Sequence, residues 1–458
     1  MTKRKEPVDL RQLSAAQLDS LPKLNLNAAG LDIGASEIYA CVPTGRDTQP
    51  VRAFATYTSD LYALADWLAE CDIDTVAMES TGLYWLPVYE ILEARGFEVY
   101  LVNARHLKNV SAKKTDVLDC QWIQRLHTFG LLQASFRPPH EICALRALVR
   151  HRDTLIRYRS AHIQHMQKAL QAMNVQLTQV VSDISGVTGM QIIRAIVAGE
   201  RNPQSLARLR NTKCARSEAE IAKALQGNYQ PEYVFVLKQA LAQYDFYQRQ
   251  IEECDVEIEA LYASFPGPDG SNSATPPPKP RRSKPRKNQA HFDLATVLHR
   301  TVGVDLTAVD GIDALTAQVI ISEIGLDMNK WPTVKHFTSW LALAPNNQKS
   351  GGKVLRTRTQ KTDNRANTAF RIAAQSLSRS QSALGGFYRR MRAKHGAAKA
   401  NVATAHKLAR IVYFMLKDHR AYADPGEAYY EQHYRERTIR NLKRKAANLG
   451  LTLVPLAA

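Results

Sequence analysis

The chain has 458 residues, with 61 Lys and Arg against 43 Asp and Glu, a formal net charge of +18. At 45% hydrophobic and 8% aromatic it can build packed cores, which excludes a chain too polar to fold. At ~100–200 residues per domain the length predicts about two to four domains. The basic excess points to a polyanionic partner, most simply nucleic acid. No run approaches the ~18–20 apolar residues of a bilayer span, and the basic, polar start MTKRKEPVDLRQLS does not read as a secretion signal. Six cysteines, at 41, 71, 120, 143, 214 and 254, show no C-x-x-C spacing. That argues against structural zinc and against a disulfide framework, and suits a reducing cytoplasm. A soluble intracellular protein without a membrane partner is the expectation.

Residues 1–28 lack periodicity and read as a flexible arm. GLDIG, SEIYACVP and VRAFATY are short runs rich in β-branched and aromatic residues, joined by turns at Pro43, Gly45 and Asp47, and predict three strands. SDLYALADWLAE predicts a helix, DTVAME a strand, LPVYEILEARG a helix stopped by Gly96, FEVYLVN a strand and DVLDCQWIQRLHTFG a helix. This order, βββαβαβα, predicts an α/β layer domain over 29–138 that closes near Pro138 and Pro139.

Beyond the prolines the pattern is helical. EICALRALVRHRDTLIRYRSAHIQHMQKALQAM and a second helix from about Glu232 to Phe265 carry narrow apolar stripes. Two such helices pair within one chain or across a dimer. The expected element is a coiled-coil arm over 139–265, with a helical insert at about 180–230. PGPDGSNSATPPPKPRRSKPRKN, with six Lys and Arg between Lys279 and Lys287, reads as a basic linker over 266–290 that touches phosphates. A final helical domain over 291–421 and a basic tail over 422–458 complete the chain.

The charge is unevenly divided. Residues 29–137 hold 9 Lys and Arg against 14 Asp and Glu, whereas residues 349–410 hold 15 Lys and Arg and one acid, Asp363. In the acidic domain four carboxylates fall where a metal site needs them. Asp32 lies in the first strand, Glu79 ends the fourth, and Asp116 and Asp119 are three apart on one helix face. A D-x-x-D pair on a helix is often only a solvated face, and a strand-end Glu is often a turn cap. A carboxylate within an apolar strand, however, is costly unless paired or metal-bound. An oxygen-only cluster of this kind suits Mg²⁺ or Mn²⁺ and phosphoryl chemistry.

GLDIGASEIYACV, AMESTGLYWLPVYEIL and KKTDVLDCQWIQRL together resemble the ribonuclease H-like, RuvC-type domain of the DEDD insertion-sequence transposases, the recombinases guided by a bridge RNA. The resemblance implies a catalytic, metal-holding tetrad at Asp32, Glu79, Asp116 and Asp119. Cys120 stands where that family usually has Ala, a small change expected to be harmless. The fold class expected is therefore α/β plus all-α: a RuvC-type domain, a coiled-coil arm and a C-terminal helical transposase domain.

Within that last domain LTAVDGIDALTAQVIISEIG reads as a helix-hairpin-helix whose Gly311 turn offers amides to a phosphate, or as a tight interhelical turn without a ligand. Farther on, Pro345, Asn346 and Asn347 break a helix and place Ser350 before Gly351 and Gly352 among cations. From chemistry alone a K-S-G-G turn is either a phosphate contact or a nucleophile. The resemblance implies that Ser350 is the nucleophile of a covalent phosphoserine intermediate. Ser339 is the rival, though Phe337, Trp340 and Leu341 around it suggest helix packing. The family's G-L-x-P turn reads Ala342-Leu343-Ala344-Pro345 here, which leaves the backbone of that turn open. Candidate nucleic-acid contacts are Lys113, Lys114, Gly311, Lys349, Gly351, Lys353, Arg356, Arg358, Lys361, Arg365 and Arg371.

The resemblance further implies strand exchange between donor and target double-stranded DNA through a four-way junction. It also implies a structured non-coding bridge RNA that supplies sequence recognition, and a composite site shared between protomers of a dimer or a synaptic tetramer. It places the protein in the bacterial cytoplasm, on the nucleoid when active. The alternative is a metal-dependent junction resolvase or nuclease with water as nucleophile and Ser350 as a phosphate contact. A non-catalytic nucleic-acid scaffold is a third reading, which the tetrad disfavours.

Overall fold

A computed structural model of the chain describes residues 21–80, 82–103, 116–265, 267, 287–351 and 353–454. Two compact units meet in sequence between Arg137 and Pro138, at the proline pair where the α/β pattern ends. In the first unit the order is β1 (Ala28–Ile33), β2 (Glu37–Cys41), β3 (Val51–Ala55), α1 (Thr58–Glu70), β4 (Thr75–Glu79), α2 (Trp85–Ala94), β5 (Glu98–Val102) and α3 (Asp116–Thr128). Every one of these elements is where the periodicity places it.

The five strands form one mixed sheet in the order β3-β2-β1-β4-β5. β1, β2 and β3 pair antiparallel, and β1, β4 and β5 pair parallel. This arrangement is consistent with a ribonuclease H-like domain. Strand side chains alternate between faces, and here each face has its own core. Leu31, Ile33, Ile38, Val76, Met78 and Leu101 pack with Leu64, Leu68, Val88 and Leu92 of α1 and α2. Ala77, Val102 and Tyr100 pack on the other face with Ile123 and Leu126 of α3. Not all of the expected arm is loose: Leu24 and Asn25 amides donate to the Thr128 carbonyl at 2.9 and 3.0 Å, closing the end of α3. Residues 1–20 lie outside the described residues.

The second unit is helical apart from one hairpin. α4 (His140–Ala172) leads into α5 (Leu177–Val180), α6 (Val187–Val197), α7 (Pro203–Arg208), α8 (Glu218–Ala224) and the long α9 (Pro231–Ser264). α4 and α9 pair antiparallel within the chain, so of the two expected arrangements the intramolecular one is present. Their apolar stripes are interrupted by buried charge: Arg152 reaches Asp255 with Nε and Nη2, and its Nη2 also donates to the Asn288 carbonyl at 3.1 Å. The helical insert caps the far end of the pair, where Met166, Leu170, Ile192, Ile193, Leu206, Ile221 and Leu237 form a core. Residues 268–286 of the expected linker lie outside the described residues. Its last part is fixed rather than extended, because Lys287 Nζ is bound to Asp183 at 2.9 Å and to Ser185 Oγ at 2.7 Å.

The chain continues through α10 (Leu294–Val302), α11 (Ala314–Ile324), α12 (Val334–Trp340), the hairpin β6 (Gln348–Ser350) and β7 (Lys353–Arg356), α13 (Arg365–Ser376), α14 (Ala383–His395), α15 (Ala397–Asp418) and α16 (Gly426–Asn448). The hairpin corrects the all-helical expectation for this part. β7 sets the β-branched Val354 beside Leu355 between two cations, and Gly351 opens the turn before it at φ +54°. The expected helix-hairpin-helix is not shown, because a single 3-10 turn stands where its first helix would be. Gly303, left-handed at φ +79°, ends α10, and Asp305 already caps the next turn, so Leu306–Ala308 closes as a single 3-10 turn. α4 is joined to α11 by Arg150, which grips Glu323 with two bonds of 2.9 and 2.8 Å. No helix among the described residues is long and apolar enough to cross a membrane.

One buried group makes the first unit acid-sensitive. His127, at the end of α3 and 1% exposed, meets Thr75 Oγ1 of β4 at 2.8 Å. Burial pushes its pKa down from 6.5 to about 4. The unfolded chain takes up a proton near 6.5 and the folded chain only near 4. The stability is therefore complete above 6.5 and is lost as pH falls through that window. Between pH 7 and 4.5 the parent should lose about 2–3 kcal/mol more than His127→Gln. Hydrogen exchange in β4 and α3 at the two pH values measures the difference.

Candidate active site

The sheet brings the four carboxylates to one end of one face. β1 and β4 run parallel, with Leu31 opposite Met78, so Asp32 and Glu79 each lie one residue beyond that pair on neighbouring strands. By alternation both point to the face that carries α3. α3 runs back along that face: Gln124 Nε2 donates to the Ala28 carbonyl at the start of β1, and His127 reaches the start of β4. The first turn of α3, with Asp116 and Asp119, therefore comes level with the strand ends that carry Asp32 and Glu79.

Gly30 sets this approach. A Cβ at that position would stand 2.2 Å from the Gln124 amide nitrogen and 2.5 Å from the Cys120 carbonyl, so the helix backbone lies directly on the strand. Cys120 itself is fully buried beside Cys41 of β2. Its thiol is pushed far up by the hydrogen bond with Cys41, then by burial and by the charges of Cys41 and Asp32. The Asp32 carboxylate is thus felt at the base of the α3 first turn. The Cys120 side chain thus packs where α3 meets Cys41 of β2.

Tyr39 is a residue that motif reasoning passes over. It is registered opposite Asp32 on β2, and its hydroxyl donates to Glu37 Oε2 at 3.2 Å. Its pKa is raised by that bond and charge first, then by burial and by the Asp116 carboxylate. Tyr39 therefore links the environments of Asp32 and Asp116. The signal in the sequence is E-I-Y-A-C, whose alternation puts Glu37, Tyr39 and Cys41 on the α3 face.

The donor set is all carboxylate, which fits a hard divalent cation in kind. Asp32, Glu79 and Asp119 are half-buried and Asp116 is exposed. Among the described residues no three His, Cys, Asp or Glu side chains are arranged to hold a metal ion. The sheet and α3 thus collect the ligands on one edge without closing them into a coordination sphere. Lys113 and Lys114, the candidate phosphate contacts ahead of α3, lie outside the described residues.

Ser350 ends β6 and is exposed, with Lys353 directly opposite it on β7. Gly351 turns the chain at φ +54°, a left-handed conformation that glycine takes without steric cost. Lys349 and Arg356 are strand residues, registered with Val354 and Gln348 respectively. The hairpin is held at its base. The Asn346 amide donates to the Arg358 carbonyl at 3.2 Å, and buried Asn367 of α13 donates to the Leu341 carbonyl at 2.6 Å. Just before it, Ala342 takes the left-handed conformation at φ +53°. The Leu343 amide bonds back to Thr338 and the Ala342 amide to Ser339, a Schellman ending of α12. Alanine thus bears the strain that glycine would avoid. Ser339, the rival serine, sits on the exposed side of α12, while Phe337 packs against Trp331, Trp340 and Tyr413.

The remaining candidate contacts are scattered in role. Lys353, Arg358, Lys361 and Arg371 are exposed. Arg365 is paired with Asp153 of α4 at 3.4 Å. Gly311 has φ +87°, and a Cβ there would meet the Ala373 carbonyl of α13 at 2.6 Å. Packing against α13 therefore accounts for this glycine.

A family model described as a transposase, of the DEDD type, matches residues 29–175, from β1 into α4. A second, described as Transposase IS116/IS110/IS902 family, matches residues 305–389, which include the serine hairpin. The two matches, one on the mixed sheet and one on the helical segment, define a transposase. The chain belongs to the IS110-type family of insertion-sequence transposases. Comparison with curated proteins finds no match.

Two substitutions test the local geometry. Gly30→Ala should force α3 off β1, costing about 1–3 kcal/mol of stability and displacing Asp116 and Asp119. Urea unfolding and Mn²⁺ titration should both register the change. Ala342→Gly should relieve the left-handed strain and raise stability by about 1 kcal/mol, read from the urea midpoint.

Proposed function

We propose that the protein recombines the DNA of its own mobile element through a covalent phosphoserine made by Ser350, assisted by Mg²⁺ or Mn²⁺ at Asp32, Glu79, Asp116 and Asp119. The observation that supports this reading best is the convergence of the four carboxylates on one edge of the sheet, within a transposase whose other matched segment presents an exposed serine. A bound divalent ion would neutralise charge on the scissile phosphate and favour ionisation of the attacking hydroxyl.

The chain's own groups do the rest. The Ser350 hydroxyl loses its proton and attacks phosphorus, and the deoxyribose oxygen leaves with the bonding pair and takes up a proton. Lys353, opposite Ser350, and the surrounding cations stabilise the charge that grows on the phosphoryl oxygens. The free hydroxyl of another strand then displaces Ser350 and joins donor to target. The tip position suits this role, because it leaves the Ser350 side chain exposed to an incoming phosphate. As the family resemblance implies, the tetrad and the serine act from different protomers of an oligomer, and a bridge RNA selects the sequences while the protein reads its shape and backbone.

The same carboxylates would serve a nuclease using water, so the serine decides. With a nicked suicide DNA substrate and Mg²⁺, denaturing gels should show a protein–DNA adduct that Ser350→Ala abolishes and Asp32→Asn reduces by at least about 100-fold. Cleavage to free ends that persists in Ser350→Ala would establish the water mechanism instead.

A further inference from the structure

α16 lies beyond both family matches and none of its residues is buried. Its first half is nevertheless docked firmly on α14. Arg389 pairs with Glu427 at 2.5 Å, Arg390 pairs with Glu431, and the Arg390 guanidinium lies 3.4 Å from the centre of the Tyr434 ring. Tyr430 fits against Gly386, where a Cβ would meet the ring at 3.0 Å. Past Thr438 the support ends. Every residue from Ile439 to Asn448 is exposed except half-exposed Ala446. Ten helical residues thus extend about 15 Å from the body of the unit.

This docking gathers positive charge instead of dispersing it. Lys407 of α15 lies over the Phe387 ring at 4.0 Å. Burial, together with the charges of Arg437 from α16 and Arg410 from α15, pushes its pKa down. Arg437, Arg440 and Arg444 follow at spacings of three and four, so they share one face of α16 that continues outward from this cluster. Of the three acids in the docked half, Glu427 and Glu431 are paired with Arg389 and Arg390, and Glu436 accepts a bond from Gln432 Nε2 at 3.1 Å. Like charges held this close repel, and a polyanion relieves the repulsion.

We propose that the projecting half of α16 is a DNA-binding helix, with Arg437, Arg440 and Arg444 lying along the phosphates of a duplex and Lys407 and Arg410 extending the track onto the body of the protein. The shape favours DNA over structured RNA. A bare helix of ~10–12 Å diameter fits the ~12 Å major groove of B-form DNA, whereas the A-form major groove is too narrow to admit it. A second copy of the chain could be offered only the short stripe of Ile439, Leu442 and Leu449, with cations on both flanks. The inference rests on the chain being a DNA transposase and not on Ser350 or the carboxylate tetrad.

The test is equilibrium binding of the full-length protein to an uncut 30-base-pair duplex of mixed sequence, without divalent metal, over a range of salt. R437Q/R440Q/R444Q should reduce the slope of log affinity against log salt by about 2–3, with helix content and mass in solution unchanged. Ile439→Gln/Leu442→Gln, which removes the apolar stripe and no charge, should leave the slope as in the parent. A triple variant with the parent's slope overturns the proposal. So does a loss confined to an RNA duplex of the same length, or one that accompanies dissociation of an oligomer. A parent chain that fails to bind the duplex removes the proposal together with the reading of the chain as DNA-acting.

Discussion

At Gly30 two backbones touch, and the geometry of the candidate site follows from that contact. Because no side chain separates β1 from α3, the helix lies on the strand and runs antiparallel to it. Its first turn, which holds two of the four acids, is thereby delivered to the strand ends that hold the other two. The thiols of Cys41 and Cys120 fill the space beside the contact, and His127 with Thr75 fastens the far end. A larger residue at position 30 would lift the helix and separate the ligands before any carboxylate was changed. In this unit the close packing of α3 on β1 is what sets the placement of the four acids.

The helical unit depends on buried ion pairs for a different reason. Arg152 and Asp255 are 5% and 1% exposed in their side chains, and Arg150 and Arg146 both reach Glu323. A buried pair adds little net stability compared with apolar packing, but losing one partner costs about 3–5 kcal/mol. Such pairs therefore specify arrangement: they choose the antiparallel partner of α4 and the place where α11 joins it. The last part of the linker, residues 287–289, is drawn onto Arg152 through the Asn288 and Gln289 carbonyls, and Lys287 holds it to Asp183 of the helical insert. The serine hairpin is then supported through Asn367 and Asn364 at the head of α13.

Much of this was readable in advance, and the failures have causes. The helices of the first unit follow from three-four spacing, and its strands from short runs of β-branched and aromatic residues between turns, some of them buried on both faces. Asp32 stood out as a candidate because an acid in the middle of GLDIG conflicts with its apolar neighbours. Tyr39 did not, since nothing in E-I-Y-A-C distinguishes an ordinary strand tyrosine from one registered opposite Asp32. The β6–β7 hairpin was missed because Ser350, Lys353, Val354 and Leu355 are exposed, so hydrophobic pattern is silent there. The left-handed Ala342 was invisible for the opposite reason: the chain holds a conformation that its residue type disfavours.

The sequence by itself determined the element order of the first unit, the four acids, the serine between cation and glycines, and the division of charge between an acidic and a basic part. These are local properties, carried by periodicity and residue chemistry. The tertiary structure alone decided that α3 runs back over β1 so that the acids share an edge. It also decided that α4 and α9 pair within one chain, and that Lys407, Arg410 and Arg437 are pressed together where α16 docks. Each of those depends on which distant surfaces meet, and a close approach such as that at Gly30 is set by the shape of both partners at once.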